Sequence, residues 1–183
     1  MFFAMKSGRL PLALLLSMLP LNPCHGKIFY SKSEAMELAF GQEATVEMLT
    51  LFPDDQEMQR IEQMARVKMD SAMFTFYVGK KAGRLLGYAA IETHTVRTKP
   101  ETLLVVLSED GKLRGMHTLA FHDPPEYLPP ARWFAQMYGK PLQELSLNRE
   151  IQGITGATLS TRAALNSARK VLAVYQVMIE EKR

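Results

Sequence analysis

Beyond residue 26 the apolar positions repeat first at helical spacing, then at period two, then at helical spacing again. Ser31-Lys32-Ser33-Glu34 has the form of a capping box and opens a helix expected to run to about Thr50, where Phe52-Pro53 stops it. Asp54-Asp55-Gln56-Glu57 opens a second helix, whose Met58, Ile61, Met64, Ala65 and Met69 follow the helical repeat. A methionine stripe can be a soft binding surface, but core packing is the stronger reading. Met73, Phe74, Phe76 and Val78 then begin a strand, Lys80 to Gly83 makes a turn, and Leu85 to Ile91 forms the next strand. Thr102 to Leu107 is a β-branched and aliphatic run. Asp110-Gly111 is the strongest hairpin signal in the chain, and Leu113 to Phe121 is the returning strand. These segments predict an antiparallel meander of about four strands. Pro124, Pro125, Pro129 and Pro130 exclude regular pairing after it. Arg132 to Tyr138 reads as a short helix ended by Gly139, and Pro141 to Leu145 as a further helical turn. A long last helix spans about Leu159 to Glu180, with Leu165, Ala168, Leu172, Tyr175 and Ile179 as its apolar stripe. The fold class is α+β, helices packed on one antiparallel sheet.

The amino terminus is built differently. Lys6 and Arg9 precede an apolar run, Leu10 to Leu21, of about twelve residues, whereas a membrane-spanning helix needs roughly twenty. A basic n-region, a short h-region and small residues after it make a secretory signal peptide over residues 1–26, with cleavage after Gly26; an uncleaved amino-terminal anchor is the alternative. Both place the remainder outside the cytoplasm, in the periplasm or on the outer face of the cytoplasmic membrane. Lys6 and Arg9 have no acidic neighbour in that segment. Without them 20 basic face 19 acidic residues, so the +3 of the whole chain carries no argument for nucleic acid. With 183 residues, 47% hydrophobic and 22% charged, the chain has globular proportions and the length of one domain. Cys24 is the one cysteine, which excludes an internal disulfide, a cysteine-rich zinc site, an iron–sulfur cluster and covalent c-type haem.

The sharpest local feature is Gly153-Ile154-Thr155-Gly156-Ala157-Thr158-Leu159-Ser160-Thr161, small and hydroxyl-bearing residues running into the last helix. Unpaired N–H groups and the helix dipole at such a place favour an anion, and small side chains let a phosphate approach the backbone. Plain capping, with Thr158 or Ser160 as N-cap, is the competing account. No Gly-Lys-Ser/Thr follows, so this is not a P-loop.

Thr155-Gly156-Ala157-Thr158, followed by Leu159-Ser160, resembles the Ser/Thr-Gly-Ala-Thr motif of FMN-binding domains. Those occur in the G subunit of the Rnf electron-transport complex, in the C subunit of the sodium-translocating NADH:quinone oxidoreductase, and in stand-alone exported flavoproteins. Gly87-Tyr88 in a strand, the Asp-Gly hairpin, the segment His122-Asp123-Pro124-Pro125-Glu126-Tyr127-Leu128-Pro129, the motif and a closing helix follow the family's order over roughly Met73 to Met178. The proline-rich segment is more similar to the stand-alone members. The resemblance implies a domain over 71–183 after a helical addition at 27–70. It implies FMN joined through its phosphate to the Thr158 hydroxyl by a flavin transferase after export. It also implies a redox partner protein, associated with the membrane, for an electron carrier with no small-molecule substrate of its own. One position departs: the family carries an Asp three residues before the motif, and this chain has Gln152, which keeps hydrogen bonding and loses the charge. A scaffold or sensor of the same fold without covalent flavin is the rival this departure supports.

A flavin ring needs an apolar bed and a few hydrogen bonds to its polar edge. Tyr127 and Trp133 are candidates for the bed, His122 and Glu126 for polar contacts; Trp133 and Phe134 as helix core, and His122 as a loop cap, are the plainer assignments. His94, His117 and His122 show no metal-pair spacing, Glu92 and Glu101 form no recognisable acid–base pair, and no Gly-x-Ser-x-Gly elbow occurs.

Overall fold

The computed structural model describes residues 27–183. The leader, its cleavage point and Cys24 lie outside the described residues. Six strands form one antiparallel sheet: β1 (Lys27–Ile28), β2 (Thr45–Leu51), β3 (Phe74–Lys81), β4 (Arg84–Val96), β5 (Lys99–Leu107) and β6 (Leu113–Phe121), in the order β1-β6-β5-β4-β3-β2. The helices are α1 (Lys32–Phe40), α2 (Asp55–Ala65), the short α3 (Ala131–Phe134) and α4 (Thr158–Tyr175), which continues as one wider π turn over Gln176–Glu180. The α+β class holds, and the sheet has two strands more than expected.

The first difference lies at Gly41. The Ser31–Glu34 capping box forms, but the helix ends at Phe40, not near Thr50. Gly41 has φ +86°, and the alternating Thr45–Leu51 then pairs along its whole length with β3. β-Branched residues at 45, 46 and 50 favour the pleated edge over another helical turn. Both edge strands therefore come from the segment expected to be purely helical. The second helix starts where read: Asp54 caps it, with Glu57 closing the box. It stops at Arg66, in the left-handed region, so Met69 lies beyond it; the Met69 N–H donates instead to Glu62 Oε1 at 2.9 Å.

One sheet face buries Phe76, Leu103, Val105, Leu107 and Met116 against α2, α3 and α4. The other buries Ala89, Leu104, Val106 and Leu119 under Ala35 and Ala39 of α1. The α4 stripe is core as expected: Leu165, Ala168, Leu172 and Tyr175 are buried, and Ile179 follows in the π turn. The Asp110-Gly111 turn also forms. Gly111 has φ +78°, and a Cβ there would lie 2.0 Å from the Tyr175 ring, so both backbone and packing require glycine.

Arg169 of α4 is 6% exposed, and among the described residues its side chain meets main-chain carbonyls and no carboxylate. Its Nε donates to Ala65 O and its Nη2 to Met64 O, which closes the carboxyl end of α2; its Nη1 donates to Leu145 O. Burial pushes its guanidinium below the usual arginine range, with Arg66 adding repulsion. One side chain thus fixes α4 against two other segments.

Candidate functional site

The loop entering α4 is held from below. Ile151 is fully buried and bridges Leu147, and Asn148 N–H donates to Ile151 O at 2.9 Å. Trp133 of α3 is 5% exposed, and its indole N–H donates to Gln152 O at 2.6 Å; Gln152 N–H donates to Gln136 Oε1 at 2.9 Å. The Gln152 main chain is gripped on both sides while the residue stays exposed. Trp133 is therefore core and clamp, and is not available as a bed for an aromatic ring. Phe134 is core as well, 1% exposed.

Past the clamp, Gly156 has φ +87° with open space around it, and the chain turns into the helix. Neither Thr158 nor Ser160 caps α4. The N-cap position is Ala157, which offers no side-chain acceptor, and Ala157 N–H turns back to Ile154 O at 3.0 Å. The N–H groups of Thr158, Leu159 and Ser160 consequently have no partner inside the helix. No acidic residue stands in its first turn. The hydroxyls divide: Thr161 is buried and donates to Ala157 O and Thr158 O at 3.1 and 3.0 Å, whereas Thr158 is exposed and its Oγ1 makes one long contact, 3.5 Å, to Ile154 O. Thr155, Gly156 and Leu159 are exposed too; Ala157 and Ser160 are buried. A phosphate fits this place: helix N–H donors that no side chain caps, the positive end of an 18-residue helix, no acidic residue in its first turn, and a hydroxyl on the exposed Thr158.

The remaining expected residues lie at the same end of the sheet. Tyr175 packs on Tyr88, Lys170 pairs with Glu92, and Ser167 meets His94, so α4 runs antiparallel to β4 and begins near the β4–β5 turn. That turn carries Arg97, whose guanidinium lies 4.1 Å from the centre of the Tyr127 ring. His122 leaves β6 there, its N–H donating to Pro100 O at 3.2 Å, and Glu126 is exposed on a single 3-10 turn. Among the described residues no hydrogen bond joins His122, Glu126 or Tyr127 to residues 155–160. One face of Tyr127 is already covered by Arg97.

A second polar arrangement escaped the sequence reading. His94 Nε2 lies 2.9 Å from Glu101 Oε2, and Ser167 Oγ lies 3.2 Å from His94 Nδ1. Glu101 and Ser167 are 1% and 3% exposed, so the serine is closed to a substrate and the trio is a structural tie between α4 and the sheet. The signal was the β4–β5 register: Val96↔Lys99 pairing sets His94 opposite Glu101. Among the described residues no group of histidine, cysteine and carboxylate side chains could hold a metal ion, and no helix is long and apolar enough to cross a membrane. No family model, curated protein or solved structure matches the chain.

Proposed function

We propose that this chain is an exported FMN-binding electron carrier, with the FMN phosphate at the amino end of α4 and ester-linked to Thr158. The observation that supports this most is the exposed Thr158 hydroxyl, standing beside three helix N–H groups that no side chain caps. Thr155 and Gly156 complete the exposed approach, with Leu159 beside it, and Ala157 and Ser160 anchor it from below. His122, Glu126 and Tyr127 share that end of the sheet, as polar and aromatic surface near the anchored group. Bound FMN would supply the redox chemistry, and the protein its position and surrounding charge. Electrons would pass to a redox partner at the membrane.

The test is co-expression with a flavin transferase in the periplasm. In forming the ester, Thr158 Oγ1 loses its proton and bonds to the FMN phosphorus of a flavin dinucleotide donor supplied with the transferase, the P–O bond to the nucleoside monophosphate breaks and that group leaves with the proton, and the chain gains the mass of one FMN less one water. Thr158→Val keeps the volume and removes the hydroxyl, and is expected to abolish the gain. Persistence of the mass in Thr158→Val would place the link elsewhere. A second reading, a flavin-free scaffold or sensor, draws on Gln152, whose side chain carries no charge where the resembled family has Asp. A wild-type chain that never gains the mass, with a Gln152→Asp chain that does, would favour it, provided fluorescence titration also shows no reversible FMN binding.

A further inference from the structure

The two edges of the sheet are finished differently. β1 is two residues long and carries Lys27, a short and charged edge of the kind that resists further pairing. β2 is seven residues long and pairs with β3 one to one from Thr45↔Lys80 to Leu51↔Phe74, with no bulge. Its outer side is an unbroken row of main-chain donors and acceptors. No proline, lysine or glycine interrupts it, and its one charge, Glu47, is held by Lys80 at 2.7 Å. Val46 and Met48, on the same face of the strand, stand 37% and 66% exposed, and with Met36 and Tyr77 they line a shallow apolar groove beside α1.

Reach, charge and symmetry select what meets this edge. Lys27, where the described residues begin, lies on the opposite edge, five strand spacings or about 24 Å away. The five residues between it and the apolar run ending at Leu21 span at most about 18 Å, so that stretch does not reach β2. A second β2 does fit. Two copies related by a two-fold axis normal to the sheet pair antiparallel and keep each face on its own side, so one residue of the strand stands opposite itself. Centring on Met48 pairs the whole strand: Met48 with Met48, Val46 with Thr50, Glu47 with Leu49, and Thr45 with Leu51. No charge then stands directly opposite its like. Centring on Glu47 would set two carboxylates face to face and leave Thr50 and Leu51 beyond the other strand.

We propose that two copies of this chain join through β2, edge to edge about Met48, into one twelve-stranded sheet. The two Met48 side chains meet at the axis beside their apolar grooves, where flexible thioethers adapt to each other. The seam uses no residue of 155–160, and the inference does not depend on the flavin reading.

The test uses the chain purified after export, with Cys24→Ser as the common background. Light scattering is expected to show a mass that rises with concentration to that of two chains, with amide exchange at 45–51 slowing in step. Met48→Lys sets two ammonium groups opposite each other and is expected to weaken association by about tenfold or more. Met48→Cys is expected to form a disulfide-linked dimer on mild oxidation, since residues facing across the axis lie at disulfide distance. Thr50→Cys alone is not, because its opposite position is 46; a mixture of Thr50→Cys and Val46→Cys chains should cross-link. A monomer at every concentration would overturn the proposal. So would a dimer indifferent to Met48→Lys, or equal cross-linking of Met48→Cys and Thr50→Cys. Circular dichroism checks each variant, and should Met48→Lys fail to fold, the pattern among the cysteine variants still decides.

Discussion

Replacing Arg169 with Met keeps the apolar stem and deletes the guanidinium. Three carbonyls lose their donor: Ala65 O and Leu145 O, each in close contact, and Met64 O at the longer distance of 3.4 Å. An acceptor left buried without a partner costs about 1–3 kcal/mol, so the two close contacts put the loss at roughly 2–6 kcal/mol. Against this stands relief. The guanidinium is 6% exposed with no carboxylate among the described residues to offset its desolvation, and removing a buried charge recovers part of a penalty of several kcal/mol. The acceptors left behind are neutral, so the full cost of an orphaned charge does not apply. The expected net loss is about 1–3 kcal/mol, read as a lower urea midpoint at unchanged slope. Amide exchange separates this mechanism from general weakening: the last turn of α2 and residues 145–147 should open before the sheet does. Arg169→Lys should do no better than Met, because one ammonium cannot reach three carbonyls and remains desolvated. A Met variant within about 0.5 kcal/mol of the wild type, with protection at 64–65 intact, would refute the claim that this side chain fixes α4 to α2.

Leu172→Ala, at the middle of the buried α4 stripe, should cost about 2–5 kcal/mol in urea denaturation; a loss under roughly 0.5 kcal/mol would mean that this face does not pack. Trp133→Phe deletes the donor to Gln152 O and should cost about 1–3 kcal/mol, with faster exchange confined to 146–157; uniform loosening would speak against the clamp. Burial pushes the His117 imidazole below its usual value, so the unfolded chain binds that proton more readily. Its contribution is therefore complete above the ordinary imidazole pKa and is lost as pH falls from there through the lowered folded value; urea midpoints between about pH 7.5 and 5 should fall less steeply in His117→Gln than in the wild type.

Local chemistry made much of this fold legible. The Asp54–Glu57 box, the Asp110-Gly111 turn, the returning strand at 113–121 and the α4 stripe each carry their signal within a few neighbouring residues. What escaped depends on residues far away. Thr45–Leu51 reads as helix until β3 offers it a partner, and Lys27–Ile28 is a strand only because Phe121 and Ala120 lie beside it. The β4–β5 hairpin turns at Arg97-Thr98, with Arg97 at φ +55° and no glycine or asparagine to mark it, so the meeting of His94 with Glu101 stayed hidden. In the loop before α4, the run of small residues was visible. The role of Trp133 was not, because its partner is a main-chain carbonyl, which no side-chain pattern announces.

The grip on Gln152 divides labour between main chain and side chain. Trp133 and Gln136 hold the backbone path whatever side chain position 152 carries, since both bonds go to its N–H and C=O. Shape at the mouth of α4 is thereby inherited from α3 and its following turn, while charge is left free to drift. An acid or an amide can stand at 152 without moving Gly156 or Thr158, and the exchange would alter the field felt by an anion at the helix end by about 0.3–1 kcal/mol. If the proposed anion site is real, position 152 would tune its affinity or modification by a single codon change at little risk to the fold.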